Sequence, residues 1–196
     1  MKRKVALRRT KVVVVSDGDQ SAWRAARRAV AELGLGLLDC TEGNPTRASF
    51  AVVLAELAAS PYEVVVVLAD DGGLGGFGPG EQLIALLAHA PQVQLLAAVA
   101  VASWAHHDGD VVVDASVTAA GQIVRTAVDK EGRPLKGRRL DGDTVGILDS
   151  LPVPIVGVGD IGDEGHAADA AVLRRAIVEA LRLGGYVPGA VAEPLQ

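Results

Sequence analysis

The sequence is poor in the residues that staple or stack. One cysteine, Cys40, stands in 196 residues, which excludes a disulfide framework and any multi-cysteine zinc site. Aromatic residues make up 3% of the chain, too few for the base-stacking platforms of single-strand binders. The formal net charge of −5 has the wrong sign for a phosphate-binding face, so no nucleic acid partner is expected. The apolar run Val12–Val15 after the basic start falls far short of a signal h-region or of the ~20 residues of a membrane span. A soluble protein with no transmembrane segment is the expectation.

What is present is core-forming residue. Hydrophobic side chains make up 49% of the chain, enough at this length for one well-buried core. Val12 to Val15 carry no polar alternation, so both faces of that strand should be covered, as in a central parallel strand. Ser16-Asp-Gly-Asp19 breaks the strand, and Gln20–Leu33 reads as a helix stopped by Gly34. The same rhythm continues. Leu35–Cys40 reads as a short strand, Arg47–Ser60 as a helix closed by Pro61, and Glu63–Ala69 as a second valine-rich buried strand. Glu81–Ala90 reads as a helix closed by Pro91, and Val93–Ala102 as another buried strand. This predicts an α/β fold: a three-layer, doubly wound, mostly parallel, Rossmann-like sheet with right-handed crossovers.

In the C-terminal half the period changes. Val111–Thr118, the turn Ala119-Ala-Gly121 and Gln122–Asp129 read as a β-hairpin extending the sheet at one edge. Asp141-Gly-Asp-Thr144 is placed to cap a short helix through Leu151. Pro154–Gly159 is a final buried strand, and a last helix runs from about Ala167 to Leu183, stopped by Gly184-Gly185. No linker interrupts the pattern. One domain over residues 1–196 is expected, with a basic tail at 1–10 and a loose tail at 187–196. The basic tail reads as a solvated start tethered to the first strand, with contact to anionic lipid as the sharper reading.

In open α/β sheets ligands bind beyond the carboxyl ends of the strands. Three buried strands end there in acid: Asp17 and Asp19, Asp70 and Asp71, Asp160 and Asp163. Gathered carboxylates repel one another and are costly to desolvate, which a bound Mg²⁺ or Ca²⁺ or a basic partner would offset. Asp17, Asp19, Asp70, Asp71 and Asp160 are therefore ligand- or ion-binding candidates, with Asp17, Asp19 and Asp160 as the metal set. The bland reading stands beside this one: Asp and Gly are good turn formers, and Asp-Gly-Asp recurs at 108–110 and 141–143.

Other features weigh less. Gly73-Leu-Gly-Gly-Phe-Gly78 has dinucleotide-binding spacing, but Asp70-Asp71 would repel a pyrophosphate and no ribose-binding acid follows. It reads as a loop over the sheet edge, with Pro79 and Glu81 opening the next helix. Adjacent His106-His107 point apart on most backbones and read as a loop pair. Cys40 and Trp23 read as packing residues. Arg125, Lys130, Arg133, Lys136, Arg138 and Arg139 form a basic stretch that reads as a solvated hairpin tip. A Mg²⁺-dependent phosphohydrolase of haloacid dehalogenase type is the alternative enzyme reading, drawn from Asp17-Gly-Asp19, Ser103, Lys130 or Lys136, and Asp160 with Asp163. Gln20-Ser21 replaces the usual Gly-Thr pair of that class, and no lysine falls at a strand end.

Several short stretches together resemble one family. They are Ser16-Asp-Gly-Asp19, Gly43-Asn-Pro-Thr46, Asp70-Asp71 with Gly78-Pro-Gly-Glu81, and Ala98-Val-Ala-Val-Ala-Ser103. Ala127-Val-Asp-Lys-Glu-Gly132, Gly142-Asp-Thr-Val145 and Val156-Gly-Val-Gly-Asp-Ile-Gly162 follow in order. The set resembles the soluble form of stage V sporulation protein AE of endospore-forming bacteria, over roughly residues 11 to 183. The resemblance implies a spore accessory protein tied to calcium dipicolinate transport and to germination. It implies a place in the forespore or spore, peripheral to the inner membrane, with membrane proteins of the same operon as partners. A homo-oligomer is compatible with it, and a small-ligand or nucleotide-binding module is the other non-catalytic reading. No catalytic residues come with the family, so the chain reads as a non-enzyme.

Overall fold

The computed structural model describes residues 9–73, 77–103, 110–161 and 167–186. Asp163, Trp104, His106-His107, Asp108 and the tails at 1–8 and 187–196 lie outside the described residues.

Strand β1 (Thr10–Val15) carries four valines with no exposed surface, each contributing roughly 1.5–3 kcal/mol of burial. Helix α1 (Gln20–Leu33) starts on Asp19, whose carboxylate accepts from the Ala22 N–H, and ends at Gly34 with φ 64°. That left-handed C-cap is why the helix stops where glycine stands. Strand β2 keeps only Gly36–Leu37, shorter than Leu35–Cys40. A 3₁₀ turn at Asp39–Thr41 replaces the rest, and the Thr41 hydroxyl donates to the Leu38 carbonyl (2.9 Å).

Helix α2 (Phe50–Ala59) begins on Ser49, a better cap than Arg47 could be, and stops at Ser60 before Pro61. Strand β3 (Val64–Leu68) is buried throughout. Helix α3 (Pro79–His89) takes proline in its first turn, where the missing N–H costs nothing. Strand β4 (Val93–Val101) follows. The C-terminal half holds β5 (Asp110–Val112), β6 (Ala115–Val117), β7 (Ile123–Val124), β8 (Arg139–Asp141), β9 (Ile155–Val158) and α4 (Ala167–Leu183).

The main sheet has the order β2-β3-β1-β4-β9-β6-β7, and every pairing in it is parallel except β6 with β7. Alternate residues serve the two faces. Val13 and Val15 join α1 and α4 on one side, and Val12 and Val14 join α2 and α3 on the other. This is the expected doubly wound, Rossmann-like fold.

The expected β-hairpin around Ala119-Ala-Gly121 stands at the sheet edge as β6 and β7, but its first arm is shorter than expected. The stretch Val111–Thr118 breaks at Val113-Asp114. Asp114 accepts from the Ile155 N–H (2.9 Å) and from Arg138 (3.2 Å). That anchors the chain to β9 and lets its two halves part. β5 leaves to pair antiparallel with β8 in a second, two-stranded sheet. β6 lies parallel to β9, and β7 turns back antiparallel at the edge. The stretch Asp141–Thr144 does not cap a helix. Asp141 ends β8, and the 3₁₀ turn Gly146–Ser150 has no side-chain cap.

Candidate functional site

The order of the sheet creates one crevice. The connection leaving β1 passes to the α1 face, while the one leaving β3 passes to the α3 face. The strand ends between them form the topological switch point where α/β proteins bind ligands. A cavity of about 140 Å³ opens there, lined by Ser16, Asp17, Asp19, Asn44, Asp70 and Asp160, with Ser103, Asp143 and Thr144 completing the wall.

Each acid reaches this edge for a local reason. Asp17 follows the last residues of β1 and keeps part of its surface open; its carboxylate accepts from the Asp19 N–H (3.2 Å). Burial, then the charge of Asp19, hold the Asp17 carboxyl well above the usual carboxylate range, and Asp70 and Asp160 push the same way. Asp19 is also the α1 cap, accepting from Ala22 N–H and Ser21 hydroxyl, both at 2.8 Å. Asp70 is 5% exposed and ties two loops, accepting from Gly18 N–H (3.1 Å) and Gly72 N–H (2.6 Å). Burial raises its pKa, those two N–H groups oppose the rise, and Asp143 and Asp19 add to it.

Asp71 goes elsewhere. It is 1% exposed, and one carboxylate oxygen accepts from Gly80 N–H (2.6 Å) and Glu81 N–H (3.2 Å). It caps α3 from across the loop. A side chain at position 78 would strike this carboxylate, its Cβ falling 2.5 Å from the oxygen, which accounts for Gly78. Asp71 does not line the cavity. Glu81 is also buried; burial raises its pKa, and the Ile147 N–H it accepts from (3.1 Å) opposes the rise.

The loops at this edge are knitted by single hydrogen bonds over long sequence distances. Thr46 hydroxyl accepts from Asp70 N–H (2.9 Å) and Gly43 N–H donates to the Gly18 carbonyl (2.8 Å). Thr144 hydroxyl accepts from Asp71 N–H (3.0 Å), and Asp143 accepts from Gly73 N–H (2.7 Å). Ser16 hydroxyl accepts from Val101 N–H (2.9 Å) and so prolongs the β1–β4 ladder. Gly18 is tightly enclosed: a Cβ there would lie 2.7 Å from the Gly43 carbonyl oxygen.

Sequence reasoning placed Asp17, Asp19, Asp70 and Asp160 on this edge, and the structure brings these four around one cavity. It did not single out Ser16, Asn44, Asp143 or Thr144. Among the described residues no three His, Cys, Asp or Glu side chains stand so as to hold a metal ion. Asp19 is turned to its helix and Asp70 to backbone N–H groups. Lys130 lies outside the acidic cavity and lines a neighbouring one of about 430 Å³ with Asp129, Glu131, Arg133 and Asp141.

The loops that build this edge are also the stretches of the family resemblance. The family model of stage V sporulation protein AE1 matches residues 11–183. The chain belongs to this family. It is thus a sporulation-related protein, and the match runs from the second residue of β1 to the end of α4. No curated protein and no solved structure matches the chain. No helix among the described residues is long and apolar enough to cross a membrane.

Proposed function

We propose that the chain is a non-enzymatic accessory protein of the spore, acting beside the calcium dipicolinate transport system of the inner membrane through its acidic pocket. The observation that carries this reading is the way the pocket acids are spent. Asp19 holds α1, Asp70 holds Gly18 and Gly72, and Asp17 stays desolvated among like charges. Such a pocket gains by taking up a positive charge, because a cation relieves the repulsion that burial has stored. Its size favours a small guest. About 140 Å³ is well below the roughly 300–1,000 Å³ of pockets for drug-sized ligands, which speaks against a nucleotide.

The phosphohydrolase alternative asks for a free acid/base two residues beyond the nucleophile and a lysine at the reacting phosphate. Asp19 caps a helix instead, Ser103 hydroxyl accepts from Asp143 N–H (3.0 Å), and Lys130 faces the neighbouring cavity. The experiment is a calorimetric titration with Ca²⁺, Mg²⁺ and calcium dipicolinate, run beside a turnover assay on generic phosphate esters with Mg²⁺. Heat on titration without turnover is the expected result. Turnover lost in Asp17→Asn would establish the enzyme instead.

A further inference from the structure

We propose that the α1–α4 layer is a docking surface for a carboxylate-rich segment of a partner protein. This goes beyond the pocket reading and uses none of the pocket's lining residues.

The two faces of the sheet carry different coats. α2 and α3 contain no lysine or arginine, and their acids are Glu56 and the buried Glu81. On the other face α1 packs against α4. These two helices contain six arginines against three acids, Glu32, Asp169 and Glu179. The layer is thus positive in a chain whose net charge is −5. All six arginines are exposed, and helical spacing lines them up. Arg24, Arg27 and Arg28 share one face of α1, and Arg174, Arg175 and Arg182 share one face of α4.

The acids present hold some of these guanidinium groups in place. Glu32 on α1 pairs with Arg174 on α4 (3.2 Å), across the seam between the helices. Glu179 is 5% exposed and takes Arg182 through a two-point fork (2.7 and 2.6 Å). That fork holds the Glu179 carboxyl below the usual carboxylate range against its burial, and the charges of Arg182, Arg125 and Arg175 add to it. One buried carboxylate therefore answers to three guanidinium groups, with Arg125 coming from the residue after β7. Arg27 lies 5.0 Å from the ring centroid of Trp23, which fixes a fourth over the ring. Arginines held this way lose less freedom on binding than free ones.

Charge and surface chemistry name the occupant. Guanidinium forks bind carboxylates at two points. Among the described residues Val178, at 36%, is the one large exposed apolar side chain on this layer. It lies one turn from Arg174, Arg175 and Arg182. An apolar centre ringed by arginine is the anatomy of a protein interface. A single valine is too little to anchor the layer in a bilayer. An array of phosphates would meet the Glu32 side chain, 63% exposed, whereas a protein segment places its carboxylates between the acids. A second copy in two-fold contact would set arginine against arginine.

The test is fluorescence anisotropy of a labelled glutamate-rich peptide with interspersed leucines, titrated with the full chain at low salt beside its glutamine counterpart. Binding of the glutamate peptide alone, weakened by added salt, is expected. Arg24→Gln, Arg28→Gln and Arg175→Gln together should weaken it about tenfold, at the scale of three exposed charge pairs. Glutamine keeps the helix propensity of these positions. Val178→Glu should weaken binding too. Arg47→Gln, Lys136→Gln and Arg139→Gln together remove the same charge from exposed positions off the layer and should bind like the parent. No binding of the glutamate peptide, a layer variant that binds like the parent, or a control variant that loses as much would overturn the proposal. Tighter binding to duplex DNA or to phosphatidylglycerol vesicles, lost in the layer variant, would overturn it in favour of a phosphate surface. Self-association lost in the layer variant would give the layer to the acidic edge of a second copy. Cation uptake at the acidic pocket is measured separately, so failure here leaves the pocket reading standing.

Discussion

Asp70 and Asp71 are neighbours with the same side chain, and the structure gives them different work. Asp71 supplies the acceptor for Gly80 and Glu81 N–H at the start of α3, at 1% exposure. Asp71→Ala removes that acceptor and leaves two buried N–H groups without it. Each such group costs about 1–3 kcal/mol, and loss of a helix cap alone costs about 1 kcal/mol. A destabilisation of about 3 kcal/mol is expected. For a chain of this size that lowers Tm by roughly 6–12 °C. Asp71→Asn keeps an oxygen in place and loses only the charge, so about 1 kcal/mol is expected. Urea denaturation and calorimetric melting read both. An alanine variant within about 0.5 kcal/mol of the parent, as for an ordinary surface change, would refute the capping role. An alanine variant of normal stability that no longer takes up a cation would move Asp71 into the site.

The remaining predictions concern titration. The folded-state pKa of Asp17 lies above its unfolded value, so its contribution to stability is fully present below the unfolded pKa near 4 and is lost as pH rises through the folded value. Asp17→Asn should therefore be more stable than the parent at pH 7 and should flatten the fall in stability between about pH 4 and neutrality. Denaturation at a series of pH values checks this, and an asparagine variant less stable at pH 7 contradicts it. Cys40 is pushed up to about 12 by burial and by the Glu56 carboxyl, which leaves roughly one thiol in ten thousand ionised at pH 8. Its alkylation there should be slow, and Glu56→Gln should speed it; labelling at the rate of a free thiol would show that the carboxyl does not act on it.

The fold was legible where one residue type decides. Gly34 stops α1 at the expected residue, and the valine runs of β1 and β3 lack the alternation of a half-exposed strand. It was not legible in Val111–Thr118, because the break depends on Asp114 finding Ile155 and Arg138 from distant segments. The site was legible as an edge but not as a cavity. The split between Asp70 and Asp71 follows the two-residue period of β3. Val64, Val66 and Leu68 serve the α1 face, and Val65, Val67 and Ala69 the α3 face, so Asp71 falls in line with α3. Asp143 and Thr144 are held at the pocket by hydrogen bonds with Asp71, Gly73 and Ser103 of the loops after β3 and β4. No local spacing records those contacts.

The most direct measurement is calorimetric titration of the protein with Ca²⁺, repeated over a series of pH values. With the Asp17 pKa raised, a cation entering the pocket competes with its proton, so binding should strengthen as the pH rises. The account predicts heat of binding that grows as the pH is raised, and its loss in Asp17→Asn. Absence of heat with Ca²⁺, Mg²⁺ and calcium dipicolinate alike, or binding unchanged in Asp17→Asn, would contradict the claim that this acidic switch-point pocket is the functional site.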